Sequence, residues 1–75
     1  MKLMQTSETI PIVVNGEAKE TPPGTTVAQL LQALGLYAGR VAIERNLQIL
    51  PRSLWATTHV APGDRYEIVQ FVGGG

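Results

Sequence analysis

The sequence predicts a small α+β domain in which one helix covers one face of a mixed sheet. Three observations carry this prediction: an opening β-hairpin, one amphipathic helix after it, and strand patterns in the rest of the chain. A chain of 75 residues buries only about 60% of the surface that it exposes when unfolded. Such a core suits two layers and leaves little room for a substrate pocket.

The segment IPIVVNGEAKET predicts the opening hairpin. Asn15 and Gly16 tolerate the positive φ angles that a tight hairpin turn requires. Residues 17–21 then form the second strand, and residues 22–24 (PPG) end it. Pro11 has no backbone donor, so it belongs at an edge or at the start of its strand. Apolar residues alternate along the first strand: Ile10, Ile12 and Val14.

The segment TTVAQLLQALGL predicts the helix. Thr26 can cap it, and Gln29, three residues later, can complete a capping box. Gly35 can adopt the left-handed conformation that ends helices. One face is apolar at the i, i+3, i+4, i+7 spacing: Val27, Leu30, Leu31 and Leu34. A short helix with a single apolar face must lie on a sheet.

The rest of the chain predicts three more strands. RVAIERN is a half-buried strand that ends at Asn46, LQILPR is a shorter strand ended by Pro51, and RYEIVQFV is the last strand. Between them, SLWATTHV forms a helical turn or irregular structure, and PGD forms a turn at residues 62–64. This order predicts the β-grasp, or ubiquitin-like, arrangement. The last strand is expected at the centre, beside the first.

Charge and composition exclude several classes of function. The six basic and six acidic residues cancel and are not clustered, so neither a nucleic acid nor a membrane surface is an expected partner. No apolar run reaches the 18 residues of a membrane span, and no signal-peptide pattern opens the chain, which predicts a cytoplasmic location. The absence of cysteine excludes disulfides, a thiolate nucleophile and a zinc–thiolate site.

Other residues whose side chains could bind a metal or contact a partner have ordinary structural interpretations. His59 is the only histidine and has no second His or Cys with which to share a metal, so we expect a surface or turn position. Trp55 and Tyr66 are expected to pack in the core or at its rim. Arg52, after Pro51, is expected to be a solvated charge, although a partner contact is the alternative.

The chain closes with FVGGG at residues 71–75. Glycine loses more conformational freedom on ordering than any other residue, so three glycines are a poor end for a strand. We therefore predict a flexible N-terminal extension at residues 1–9, a β-grasp domain at 10–72 and a flexible tail at 73–75. The tail is either idle or required to be flexible and bare.

The chain resembles the ThiS family of sulfur carrier proteins from thiamin biosynthesis over residues 10–75. The matching stretches are VNGE, TVAQLL, VAIERNLQILPRSLW, PGD and VGGG, of which the third is the most specific. Two departures are visible: Met1 to Glu8 extend beyond the usual start, and Arg45 stands before the family-like Asn46. The extension bears only on where the native chain starts, and it does not change the chemistry that the resemblance implies.

The resemblance implies a chemistry at the last residue. The Gly75 carboxylate would be adenylated and converted to a thiocarboxylate, while Gly73 and Gly74 act as the tether. Without Cβ atoms, these residues can pass a narrow channel in a partner. No catalytic side chain, metal or permanently bound cofactor is expected in this chain, which would be a co-substrate and not an enzyme. ATP would be used by the partner.

The partners implied by the resemblance are a ubiquitin-activating-type adenylating enzyme, thiazole synthase, and a cysteine desulfurase or rhodanese-type sulfur donor. Phe71 and Val72 stand where the sheet ends and the tether begins, so either could anchor a partner or fill the core. Three alternatives stay open: the small subunit of molybdopterin synthase, a ubiquitin-like interaction module with an idle tail, and a protein modifier that forms isopeptide bonds.

Overall fold

Residues 8–71 are described by a computed structural model of the chain. Five strands form one mixed sheet in the order β2-β1-β5-β3-β4, and one α-helix covers it. The elements are β1 (Ile10–Val14), β2 (Glu17–Thr21), α1 (Val27–Ala33), β3 (Val41–Arg45), β4 (Gln48–Ile49) and β5 (Arg65–Gln70), with 3₁₀ turns at Ala38–Arg40 and Arg52–Leu54. This architecture confirms the predicted α+β, β-grasp class.

The opening hairpin forms as predicted. Strands β1 and β2 pair antiparallel from Ile10 opposite Thr21 to Val14 opposite Glu17. Asn15 and Gly16 have φ angles of 51° and 82°, so both central residues of the turn occupy the left-handed region that this sequence tolerates.

The helix begins at the predicted capping box. The Gln29 amide donates to Thr26 Oγ1 at 3.1 Å, and the Thr26 amide donates to Gln29 Oε1 at 2.9 Å. These two bonds satisfy backbone donors that the first helical turn leaves unpaired. Gly35 has a φ of 74° and follows the C-cap residue Leu34. The apolar face packs on the sheet, with Val27, Leu30 and Leu31 buried and Leu34 half-buried.

The last strand lies at the centre of the sheet, as predicted. Strand β5 pairs parallel with β1 and antiparallel with β3. Tyr66 and Ile68 point from it into the core, whose other members come from β1, α1, β3 and the segment after β4: Ile12, Val14, Val27, Leu30, Leu31, Val41, Ile43, Trp55 and Val60. The predicted packing roles of Trp55 and Tyr66 are confirmed, and the buried indole Nε1 of Trp55 donates to the Leu50 carbonyl at 2.9 Å.

No helix within residues 8–71 is long and apolar enough to span a membrane. The first seven residues and the last four lie outside the described part of the chain. The flexibility expected for residues 1–9 and 73–75 remains a prediction, and of these residues only 8 and 9 lie in the described part.

Candidate functional site at the end of the central strand

The candidate site begins where β5 leaves the sheet. The Phe71 amide donates to the Arg40 carbonyl at 2.7 Å, one residue beyond the last pair between β5 and β3, Gln70 opposite Val41. The Phe71 side chain is 53% exposed, so it does not fill the core. Its role in docking stays a prediction. Val72, Gly73, Gly74 and Gly75 lie outside the described residues.

The strand that leads to this exit is hydrogen-bonded on both sides as far as Ile68, and Val69 and Gln70 pair with β3. Strand β1 ends at Val14, opposite Tyr66. Beyond that point the side-chain amide of Asn15 continues the pairing, because Asn15 Oδ1 accepts from the Ile68 amide at 2.7 Å and Asn15 Nδ2 donates to the Ile68 carbonyl at 3.1 Å. Asn15 therefore forms the hairpin turn and also replaces a missing strand residue beside β5.

We expect Asn15→Gly to destabilise the domain by about 1–3 kcal/mol, since it removes both bonds to Ile68. Glycine keeps the positive φ of the turn available, so the loss reports mainly on the amide. Urea unfolding measures this loss, and amide hydrogen exchange locates it on β5. The control Asn15→Asp keeps an acceptor for the Ile68 amide and should lose less. An Asn15→Gly variant as stable as the parent would contradict the supporting role.

The start of β5 is fixed by a buried carboxylate. Asp64 is 5% exposed and accepts four hydrogen bonds. The donors are Arg45 Nε at 2.9 Å, Asn46 Nδ2 at 3.0 Å, the Ala61 amide at 2.9 Å and the Tyr66 hydroxyl at 2.8 Å. This Asp64 network, as we call it, joins the turn after β3 to the first residues of β5.

The protonation of the Asp64 network follows from these contacts. Burial alone would raise the pKa of Asp64, but hydrogen bonds from the Ala61 amide, Asn46, Tyr66 and Arg45 outweigh it and hold the pKa below its ordinary value. Burial, together with the adjacent Asp64 carboxylate, raises the pKa of Tyr66. Asp64 is therefore an ionised structural acceptor and Tyr66 a neutral donor at neutral pH, and neither is poised for proton transfer.

Other residues do not assemble a catalytic centre in the described part of the chain. His59 is exposed, as expected, and its backbone forms an isolated bridge with Thr26. Residues 8–71 contain no group of three or more His, Cys, Asp or Glu side chains that could hold a metal ion. Arg52 lies over the Trp55 ring, with its guanidinium carbon 5.5 Å from the ring centroid. What the site can do is present the peptide end that follows strand β5 to a partner.

Two supporting features cannot be predicted from the sequence. Arg45 differs from the family pattern and Asp64 belongs to a predicted turn, but neither observation predicts the ion pair between them. Asn15 was recognised for its turn propensity and not for its amide, whose bonding partner lies 53 residues away in sequence. The spacing of polar residues carries no signal for contacts of this separation, so only the folded arrangement identifies them.

Comparisons with known proteins agree with this fold. Residues 12–75 match the ThiS family. The chain is 36% identical over 64 residues to the sulfur carrier protein ThiS of Escherichia coli K12, a match that covers 85% of the chain and 97% of that protein. The crystal structure of the thiamine biosynthesis protein ThiS from Geobacter metallireducens is 33% identical, with a TM-score of 0.76 over 88% of the chain and 100% of that one.

The similarity also extends to a much longer protein. The thiazole synthase of Paramagnetospirillum magneticum is 47% identical over 64 residues, which cover 85% of this chain and 20% of that protein. The chain thus spans about a fifth of the length of this relative.

Proposed function

The chain belongs to the ThiS family, and on that premise we propose that it is a sulfur carrier of thiamin biosynthesis. Its Gly75 carboxylate is adenylated, converted to a thiocarboxylate, and presented as the sulfur donor for thiazole formation. The chain is a co-substrate of partner enzymes, and its own side chains perform no chemical step.

The observation that carries this proposal is the exit of β5. Strand β5 is hydrogen-bonded on both sides as far as Ile68. It leads to Phe71, whose side chain is exposed and which stands four residues before Gly75. Four extended residues span roughly 13 Å. The geometry supports a rigid domain that carries a short peptide end, which a partner can draw into its own nucleotide site.

The chemistry follows from the state of a terminal carboxylate. Its unperturbed pKa is about 3.3–3.7, so it is ionised at neutral pH and is a poor electrophile. Attack of a carboxylate oxygen on the α-phosphorus of ATP releases pyrophosphate and forms an acyl-adenylate. A sulfide-level nucleophile then attacks the carbonyl carbon and AMP leaves, which gives the thiocarboxylate. Both steps take place in partner proteins, because this chain supplies only the carboxylate.

The partners are proposed on the same basis. A ubiquitin-activating-type enzyme binds ATP and supplies the adenylation site. A cysteine desulfurase or rhodanese-type protein supplies the sulfur as a cysteine persulfide, whose attack on the acyl-adenylate releases AMP and gives an acyl disulfide. A thiol then cleaves the acyl disulfide by forming a disulfide with the donor cysteine, and the thiocarboxylate is released. The similarity to a protein named thiazole synthase supports a thiazole destination over the dithiolene product of molybdopterin synthase.

Intact mass measurement tests the proposal. Incubation of the chain with the adenylating enzyme, ATP and sulfide should raise its mass by the difference between one sulfur and one oxygen atom. Omitting ATP should leave the mass unchanged, since no leaving group is then formed. An unchanged mass with an enzyme that is active on its own carrier would contradict the proposal and favour an interaction module with an idle tail.

A further inference from the structure

The segment before β3 forms a tight turn beside the end of β5. It contains the 3₁₀ turn Ala38–Arg40, and the Arg40 amide donates to the Tyr37 carbonyl at 2.9 Å. We call residues 37–40 the exit turn. The carbonyl of its last residue, Arg40, accepts the Phe71 amide at 2.7 Å. The exit turn therefore holds the end of the described chain against the sheet.

The Tyr37 side chain lies over Gly39 and not in the core. Tyr37 is 71% exposed, yet a Cβ atom placed on Gly39 would stand 2.9 Å from Tyr37 Cε2 and 3.1 Å from Cζ. The φ angle of Gly39 lies outside the left-handed region, so the backbone conformation does not require glycine here. The bare Cα of Gly39 is instead what lets the Tyr37 ring lie against the exit turn.

The ring contact bears on how firmly the end of β5 is held. An aromatic ring that covers a glycine stabilises a segment in which glycine itself supplies no side-chain contact and loses much freedom on ordering. Hydrogen-bonded pairs alternate along an antiparallel ladder. If Phe71 leaves Arg40, the next bonded residue inward on β5 is therefore Val69, opposite Ala42. Opening the exit turn releases two further residues of the strand.

We propose that Tyr37 is a positioning residue for sulfur loading. By covering Gly39 it keeps the exit turn closed on Phe71, and this fixes the point from which residues 72–75 extend to a partner. Gly75 stands four residues after Phe71 but six after Val69. A longer free segment loses more conformational freedom when a partner orders it, and its end is spread over a larger volume.

The contact should act on KM and not on kcat, because the end that reaches the partner's site is the same whether the exit turn was open or closed beforehand. This kinetic effect rests on the proposed function, since it concerns loading at Gly75. The closure of the exit turn does not, and it can be measured in the free chain.

The first measurement is NMR-detected exchange of the Phe71 amide with solvent, in the full chain without partners. We expect Tyr37→Ala to speed this exchange by about two- to fivefold. The control Tyr37→Phe keeps the ring and should exchange like the unaltered chain. The urea midpoint should stay close to that of the unaltered chain in both variants, because Tyr37 is exposed. Unchanged Phe71 exchange in Tyr37→Ala would overturn the inference.

Gly39→Ala separates the ring contact from any other role of Tyr37. The added methyl group displaces the ring, which has room to move because it is exposed. In the Gly39→Ala background, Tyr37→Ala should therefore change Phe71 exchange less than it does in the unaltered chain. An equal effect of Tyr37→Ala in both backgrounds would contradict a contact between these two residues.

The second measurement gives KM and kcat for loading of the full chain by the intact adenylating enzyme with ATP and sulfide, from initial rates followed by intact mass. We expect Tyr37→Ala to raise KM by about two- to fivefold with kcat unchanged, and Tyr37→Phe to match the unaltered chain. A KM that rises while Phe71 exchange stays normal would overturn the inference, because Tyr37 would then act by touching the enzyme.

Failure of this inference and failure of the proposed function give different results. If the unaltered chain gains sulfur and Tyr37→Ala has the same KM, only this inference fails. If an active enzyme adds sulfur to neither chain, the proposed function fails, and the kinetic role of Tyr37 fails with it.

Discussion

Removing Gly75 is expected to abolish sulfur loading while leaving the free energy of unfolding unchanged. A chain that ends at Gly74 carries its carboxylate roughly 3.5 Å short of the reactive position. Misplacement of a reacting group by 1 Å can already cost about a hundredfold in rate, so we expect at least that loss. Intact mass after incubation with the adenylating enzyme, ATP and sulfide measures loading, and urea unfolding measures stability.

The control for this deletion is a variant that keeps the length of the tail. Gly73→Ala adds a single methyl group and leaves the carboxylate on Gly75, so it should load faster than the chain that ends at Gly74. Full loading without Gly75 would contradict the assignment of the reaction to that residue. A cooperative loss of stability on deletion would contradict the tether role of residues 73–75.

The largest expected loss of stability comes from Asp64→Ala. The substitution leaves Arg45, Asn46 and the buried Tyr66 hydroxyl without their shared acceptor. We expect a loss of about 2–4 kcal/mol, out of roughly 4–11 kcal/mol for a domain of this size. Urea unfolding measures the loss. Asp64→Asn keeps one oxygen acceptor and should lose less, so it remains measurable if the alanine variant does not fold.

The Asp64 network also predicts how the stability of the domain depends on pH. The pKa of Asp64 is lower in the folded state than its ordinary value, so the ionised carboxylate stabilises the fold above the unfolded pKa of about 3.9. That contribution is lost as the pH falls through the lower folded pKa. The stability difference between the parent chain and Asp64→Asn should therefore be constant near neutral pH and shrink below about pH 4. A difference that grows in acid would contradict this account.

Local sequence signals were sufficient for the elements of the fold. The capping box at Thr26 and Gln29 and the turn at Asn15-Gly16 depend on residues no more than a few positions apart, and the structure contains both. Tyr66, expected in the core or at its rim, is buried. Even the central position of β5 could be predicted, because the last strand carries the longest apolar pattern.

Contacts between distant segments could not be predicted in the same way. Arg45 and Asp64 meet because the turn after β3 and the start of β5 converge, and Glu44 opposes Glu67 because of the register of β3 and β5. A shift of one residue in that register would place both carboxylates elsewhere. The Asp64 network and the pairing of Glu44 with Glu67 are therefore properties of the folded sheet.

The most direct test of the central claim locates the sulfur atom. Because the chain has no cysteine, a thiol-directed alkylating reagent applied after loading should react only with a thiocarboxylate. Proteolysis and fragmentation by tandem mass spectrometry should then place one alkyl group, with its sulfur, on the carbonyl of Gly75. Sulfur found on any other residue, or no alkylation after incubation with an active adenylating enzyme, ATP and sulfide, would contradict the claim.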